Sequence, residues 1–391
     1  MSASAPAAIP KGYMAGTHRL VSPEQTLARV SALQEAIGVT RLADVTGLDR
    51  LGIPVYCAVR PLGLILQLTN GKGARAVDAQ ASALMEALEH HHAEHPAGEL
   101  RRAGARDLLA EGGMAVDPRA IASHRRHTFW SDEFRIEWVK AEELLTGGSA
   151  WLPASAVYSG RVPGLHDFTA NGLASGNHPM EATLHALYEV LERDAVSRLS
   201  VDGRLRIAAP ACRVVHINTL TGIPADLAAR AAAADVSLVL ISVDSRASVH
   251  TFWAVLIDRA PFAAASMVNI GYGTHLDPEV AAVRAITEAA QSRLTYIHGA
   301  REDLAFKITE QSSNALKAVA AVFDRLCPDT EWQVFDDRSG RDFAADYARV
   351  LEGLARDGVP AVYRATLTRA PFDVPVVKVV VPGLQLNRKF F

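Results

Sequence analysis

The stretch Ser82-Ala-Leu-Met-Glu86-Ala-Leu-Glu89 decides how this chain is read. Its pattern returns as His185-Ala-Leu-Tyr-Glu189-Val-Leu-Glu192 and as Arg284-Ala-Ile-Thr-Glu288-Ala-Ala-Gln291. The first, fifth and eighth positions of each copy are polar. At about 100° per residue they fall within about 60° of one another on a helix. The Ala, Leu, Ile and Val between them lie on another face and can pack into a core. Glu181, four residues before His185, joins the second stripe. The spacing predicts three helices, each half core and half carboxylate or amide.

A glycine-rich stretch opened by asparagine precedes each copy: Asn70-Gly-Lys-Gly73, Asn171-Gly-Leu-Ala-Ser-Gly-Asn177 and Asn269-Ile-Gly-Tyr-Gly-Thr-His275. The first and third follow apolar runs of strand character, Leu62 to Leu68 and Trp253 to Ile257 onward to Val268. The unit reads as extended segment, glycine loop, acidic helix. A loop of this kind offers free backbone N–H groups suited to phosphate. None of the three matches the P-loop or the dinucleotide fingerprint.

Composition sets the outer bounds. The 391 residues are 49% apolar and 21% charged, as expected of a globular chain, and the net charge is −3. With no basic run longer than two residues, non-specific nucleic-acid binding is not expected. Cys57, Cys212 and Cys327 are isolated, and an odd count without CxxC indicates neither a disulfide framework nor a cysteine zinc site. A reducing cytoplasm is expected. No segment approaches the roughly 20 apolar residues that span a bilayer. The run Val374 to Val381, interrupted by Lys378 and ended by Pro382, reads as a buried strand. Met1 to Pro10 lacks a charged start and an apolar centre, so it is not expected to be a secretory signal and is expected to be loosely ordered.

Local signals place the remaining elements. Ser22-Pro23-Glu24-Gln25 is a capping box with proline in the first turn, opening a helix that Gly38 ends. Strands are expected at Val55 to Val59 and Gly63 to Leu68, and the first acidic helix from Ala76 to Glu94. Residues 97–165 are looser, with strands near Ile136 to Lys140 and Trp151 to Pro153. The second acidic helix is expected from Pro179 to Ser200, then helix Ala225 to Ala234 and strands Val236 to Val243 and His250 to Asp258. The third starts at the cap Asp277-Pro278 and reaches His298. Helices Asn314 to Leu326 and Phe343 to Asp357 and strands Ala361 to Thr366 and Val374 to Val381 close the chain. The alternation lacks regular βαβ spacing, so the expected class is mixed α/β (α+β). Residues 1–60 are assigned to an N-terminal segment and 61–391 to one catalytic domain.

Glu86, Glu89, Glu181, Glu189 and Glu192, with Glu288 on the third helix, would repel one another in a shared cleft. Carboxylates about 4 Å apart at an effective dielectric of 20 cost on the order of 4 kcal/mol per pair. Such a cluster must be solvated, protonated or bound to cations. Magnesium takes carboxylate and phosphate oxygens and keeps several waters. Lys72, Arg75, Arg193 and Arg284 flank the glycine stretches and can meet phosphate. The pattern describes a triphosphate held through metal.

Other readings compete. One ExxE on a helix is ordinarily a solvated face; three copies, each behind an Asn/Gly stretch, are not. Glu89 with His92, and Glu181 with His185, suggest a carboxylate-bridged di-iron oxidase. His90, His91, His92 and His95 could ligate a soft metal, although such a run is more often an exposed helix end. His18 and His275 read as loop residues, with His275 worth testing. No G-x-S-x-G occurs, so Ser175 does not mark a hydrolase, and Cys57 reads as buried. A non-catalytic peptide-docking subunit is the third class.

These residues resemble the YcaO family of ATP-dependent enzymes that modify peptide backbones. The family's Ser-x3-Glu-x2-Glu-Arg is similar to Ser82, Glu86 and Glu89, with His90 in place of the arginine. Its second signature resembles Asn171 through Asn177 with Glu181-Ala182, then Glu189-Val-Leu-Glu192-Arg193-Asp194. The third resembles Gly271-Tyr-Gly-Thr-His275 through Arg284, Glu288 and Gln291-Ser-Arg293. The match spans roughly residues 10–385. Lys11-Gly12 through Gly16-Thr17-His18-Arg19, Ser22-Pro23 and Thr40-Arg41 through Asp49 are similar to the subgroup that works with a TfuA partner.

The resemblance implies a YcaO-type fold in which acidic helices and glycine loops converge on one nucleotide cleft. It implies Mg2+ ligation by Glu86, Glu89, Glu181, Glu189 and Glu192, and ATP contacts from Lys72, Arg75, Ser82, Asn177, Glu181, Arg193, Arg284 and Glu288, with Glu86, Glu189 and Arg284 carrying catalysis. It implies O-phosphorylation of an amide in a ribosomally made precursor peptide, giving a thioamide or a thiazoline or oxazoline. Leu384 to Phe391 lacks the proline-rich ending of many azoline-forming relatives, which tilts the expectation toward sulfur transfer with a TfuA-like partner. A homodimer is the oligomer entertained; no nucleic-acid or membrane partner is expected.

Overall fold

The computed structural model describes residues 8–96, 98, 100–122, 130–159, 165–201, 204–261, 266–299, 301 and 313–387. The architecture is mixed α/β, as the spacing predicts. Three antiparallel sheets each end in a strand that leads into one of the acidic helices.

The first sheet is β1 (Arg41–Asp44), β2 (Val55–Val59) and β3 (Leu68–Lys72), in that order. It follows α1 (Pro23–Ser31) and leads into α2 (Ala76–Glu94). The second sheet gathers β4 (Arg101–Ala103), β5 (Ile136–Glu143), β6 (Gly148–Pro153), β7 (Leu173–Ser175), β14 (Tyr363–Thr366) and β15 (Val376–Val380). Its order is β4-β5-β14-β15-β7 with β6 beside β5, and β7 leads into α4 (Pro179–Arg198). A short helix, α3 (Ala105–Ala110), lies between β4 and β5. A small hairpin, β8 (Ser200–Val201) with β9 (Arg204–Leu205), follows α4.

The third sheet is β10 (Cys212–Val214), β11 (Val236–Val243), β12 (His250–Asp258) and β13 (Val268–His275), with α5 (Gly222–Ala233) connecting β10 to β11. It leads into α6 (Pro278–His298); α7 (Ser313–Asp324) and α8 (Phe343–Arg356) complete the chain. Asp277 accepts the Glu279 N–H and Pro278 opens α6, the cap expected there.

Three expectations are corrected. The helix opened by the Ser22–Gln25 capping box is helical only to Ser31, and turns carry the chain on to Gly38, where φ is +76°. The glycine stretches, moreover, lie largely within strands. Asn70-Gly-Lys72 lies in β3, Leu173 to Ser175 in β7, and Asn269 through His275 in β13. The strand expected at Gly63 to Leu68 begins only at Leu68.

The reason is packing. A Cβ on Gly71 would stand 2.1 Å from Ala79 O and Ala83 N of α2. On Gly271 or Gly273 it would stand 2.2 Å from Ala289 N or 2.1 Å from Ala281 O of α6. These glycines alternate with period two along their strands and let each acidic helix lie against the strand that feeds it. The interveners Ile270 and Tyr272 pack on the opposite face with Trp253 and Val255.

The units close on one another. β3, β7 and β13 are all sheet-end strands, and α6 packs on β3, α2 on β7 and α4 on β13. Each of these three end strands thus packs against another unit's helix, which shields that edge and brings the three acidic faces together. The β1–β3 sheet joins residues on both sides of residue 60. Most of Met1 to Pro10 lies outside the described residues; Ile9 and Pro10 bond with the start of α8. Cys57 and Cys212 are buried, Cys327 is exposed and none is bridged. Among the described residues no helix is long and apolar enough to cross a membrane.

Candidate active site

On α2, α4 and α6 the polar stripe is the part of each helix left half-open. Ser82, Glu86 and Glu89, then His185, Glu189 and Arg193, then Arg284, Glu288 and Gln291 are all partly exposed, while the residues between them are mostly buried. Glu192 is buried outright.

Five carboxylates share one field. Burial pushes Glu86 up to about 7; Lys72 and Arg301 oppose this, and Glu189 and Glu288 add to it. Burial pushes Glu89 up to about 8 although Ser175 donates to it, and Glu86 and Glu189 contribute. Glu192 is pushed up to about 7 by burial, with Glu288 and Glu189 adding to the effect. Burial also raises Glu189, against Arg193, Lys378 and Arg284. Glu288 is the exception: burial would raise it, but Lys72 and Arg193 outweigh burial and hold it below the ordinary carboxylate range. Residues of three helices thus act on one another.

The contacts divide their tasks. Lys72 donates to Glu288 Oε2 at 2.6 Å, and Tyr272 N–H donates to Glu288 Oε1 at 3.3 Å. Glu89 Oε1 accepts the Ser175 N–H at 2.7 Å and its hydroxyl at 2.6 Å. Arg193 lies 3.7 Å from Glu192 Oε1, and Glu192 Oε2 is buried without a hydrogen-bond partner. Arg284 reaches His185 Nδ1 at 3.2 Å, and its own Nε is buried without a partner.

Glu181 stands apart. Its oxygens accept from Leu20 N–H at 2.8 Å and from Asn177 N–H at 3.2 Å, and Arg19 lies 3.7 Å away. With Lys11, His18, Arg19, His185, His275 and Arg284 it lines a small cavity beside the acidic cluster. His185 is held well below its ordinary pKa by burial, then by Arg284 and Arg19, so its neutral Nδ1 can accept. Arg75, at the N-terminus of α2, is exposed and bonds Asp78 and Glu24. Ser82 lies one turn before Glu86 on the same face of α2.

Among the described residues no three His, Cys, Asp or Glu side chains stand close enough to hold a metal ion. The Glu-plus-ExxH arrangement of a di-iron site is therefore not assembled: Glu89 goes to Ser175, and His92 Nδ1 to Leu88 O at 2.9 Å. Nor, among the described residues, do His90, His91, His92 and His95 form a group of three ligands. His91 takes Arg369 at 2.7 Å and, with His92, packs edge-on against Phe372. Magnesium asks less, since one or two carboxylates plus phosphate oxygens and water suffice. The orphaned Glu192 Oε2 and Arg284 Nε suit such a metal–phosphate group.

Residues 70–385 match the model of the YcaO family, described as YcaO cyclodehydratase, ATP- and Mg2+-binding. The chain belongs to the YcaO family. A Mycobacterium tuberculosis protein is 37% identical over 95% of this chain and 83% of its own length. A Rhizobium leguminosarum bv. trifolii relative, described as a protein in the tfuA 3' region, is 32% identical over 94% of this chain and 89% of its own. Among solved structures, YcaO from Methanopyrus kandleri bound with AMPPCP and Mg2+ is 25% identical. It superposes with TM-score 0.78 over 96% of this chain and 94% of its own. A heterocyclase in complex with substrate and cofactor is 22% identical, with TM-score 0.80 over 97% of this chain and 54% of that one, and shares the fold.

The cleft of this YcaO protein also uses residues to which the sequence assigned no role. Lys11 Nζ bonds His18 Nδ1 at 2.8 Å and Asp346 at 2.6 Å, tying the N-terminal segment to the small cavity. Lys378, central in β15, is buried, lies over Phe168, donates to Thr169 O and acts on Glu189. Burial pushes it down to about 8, with Glu189 opposing. Its signal was the single charge within the apolar run Val374 to Val381.

Proposed function

We propose that this chain activates a backbone amide of a ribosomally made precursor peptide by O-phosphorylation, with a thioamide as product and a TfuA-like protein as partner. The observation that carries the reading is the convergence of Glu86, Glu89, Glu189, Glu192 and Glu288 from three helices, interleaved with Lys72, Arg193 and Arg284. An amide oxygen is a very poor leaving group. ATP with Mg2+ supplies the phosphoryl group that makes it a good one.

The chain's residues have defined parts in this scheme. Glu86, Glu189 and Glu192 provide metal-facing oxygens, Glu89, held by Ser175, completes the acidic wall, and Glu181, held by Asn177, lines the small cavity beside it. Arg193, Arg284, Lys72 and Arg75 meet phosphate oxygens, and Ser82, Asn177 and Glu288 position the nucleotide. Charge placed in advance around the transferring phosphoryl group lowers the barrier without reorganisation.

A nucleophile adds to the amide carbonyl, its oxygen takes the phosphoryl group, and phosphate departs. A sulfide equivalent leaves a thioamide; a Cys, Ser or Thr side chain leaves an azoline. The relative in the tfuA 3' region favours the first outcome and the TfuA-like partner. The test is peptide-dependent release of ADP and phosphate by the wild type, Glu86→Gln and Glu189→Gln. Both variants lose turnover; undiminished turnover in both removes the assignment.

A further inference from the structure

Lys72 ends β3 and reaches across to α6, where its ammonium meets Glu288 Oε2 at 2.6 Å. The second oxygen of Glu288 takes the Tyr272 N–H, so both oxygens of this carboxylate are engaged. The Lys72 charge also acts on Glu86 of α2 and His185 of α4. It therefore sits among all three acidic helices. The two side chains are 22% and 18% exposed, enough for a small ion or phosphate to reach them.

The rest of the cluster is arranged otherwise. Glu192 Oε2 is buried with no hydrogen bond, and no group of three ligands is assembled among the described residues. A bare divalent ion arriving at Glu86, Glu189 and Glu192 would lie beside the Lys72 ammonium, which Glu288 holds in place. A metal arriving with phosphate meets no such obstacle, because phosphate oxygens give the lysine a new partner.

We propose that the Lys72 ammonium is a placeholder cation. In the nucleotide-free enzyme it holds Glu288 and keeps divalent metal from binding alone. When metal and nucleotide enter together, it passes to a phosphate oxygen and Glu288 is released to position the nucleotide. Lys72 is a positioning residue in this scheme, and metal and nucleotide bind as a unit. The inference rests on the reading of the cleft as a metal–nucleotide site.

Binding of Mn2+ to the full chain, followed by electron paramagnetic resonance with and without AMPPCP, tests it. Wild type binds Mn2+ weakly alone and at least about 10-fold more tightly with AMPPCP. Lys72→Met binds Mn2+ alone at least about 10-fold more tightly than wild type and binds Mn2+–AMPPCP more weakly. Lys72→Arg keeps the wild-type weakness toward Mn2+ alone. If Lys72→Met does not fold, Lys72→Gln, which retains a hydrogen-bonding group without the charge, carries the same expectation. Unchanged or weaker binding of Mn2+ alone by the folded neutral variant overturns the placeholder role and leaves the nucleotide site standing. A wild type that binds no Mn2+–AMPPCP removes the nucleotide site and the placeholder with it.

Discussion

Glu89 and Ser175, 86 residues apart in the chain, are joined twice, since Glu89 Oε1 accepts both the N–H and the hydroxyl of Ser175. The relation recurs around the molecule. Gln291, the same position on α6, donates to Asn70 O of β3. The eighth residue of two acidic helices thus ties down the end strand of another sheet. Glu192, the third, lies beside Tyr272 of β13 but leaves Oε2 without a partner.

Equivalent positions are therefore expected to respond oppositely. Glu89→Ala strands the Ser175 donors in the interior and costs about 2 kcal/mol in denaturant unfolding. Glu192→Gln removes a buried carboxylate whose Oε2 has no hydrogen-bond partner and stabilises the ligand-free protein by about 1 kcal/mol, while AMPPCP with Mg2+ binds more weakly. Shifts of the same sign for both would show that the eighth positions do not divide in this way.

The raised carboxyls set a pH dependence. Glu86, Glu89 and Glu192, at about 7, 8 and 7, hold protons in the folded state that the unfolded chain has released. Their contribution is fully present below the ordinary carboxylate range and is lost as pH rises through 7 to 8. The ligand-free melting temperature of wild type, taken relative to that of the Glu86→Gln/Glu192→Gln double variant so that the buried histidines cancel, therefore falls between about pH 5 and 8, and AMPPCP with Mg2+ flattens the fall by pairing the ionised groups. A difference that rises over this window contradicts the burial of these side chains.

Close strand–helix packing makes a steric prediction. Gly71→Ala and Gly271→Ala each drive a methyl group into helix backbone and cost about 3 kcal/mol or more. Gly47, with nothing within 4 Å of its Cβ position, is the control, and Gly47→Ala stays within about 0.5 kcal/mol of wild type. Chemical denaturation of the three variants decides whether these glycines serve packing; equal tolerance at all three sites would refute it.

Glu94 shows that not every carboxylate of α2 belongs to the cleft. It bonds Arg60 at 2.6 Å with both groups buried, and also takes the Leu64 and Ile65 N–H groups. Glu94→Ala leaves a buried guanidinium and two amides unpaired and costs about 3–5 kcal/mol. Binding of AMPPCP by the folded fraction is unchanged. Weaker nucleotide binding at equal stability would move Glu94 into the site.

Local order was legible in the sequence. Period and caps located α2, α4 and α6 with their half-open stripes, because helix phase and N-cap chemistry depend on residues within one or two turns. Apolar runs likewise bounded β11 and β12. The glycine stretches were misread because glycine signals a turn, while the period-two spacing of Gly71 with Gly73 and Gly271 with Gly273 has meaning only once a helix lies against the strand. Only the tertiary structure decided which unit covers which edge, that Glu181 joins the N-terminal segment while Glu288 pairs with Lys72, and that Lys11 and Lys378 reach the cleft. Those outcomes depend on contacts between residues far apart in the chain, which no local spacing encodes.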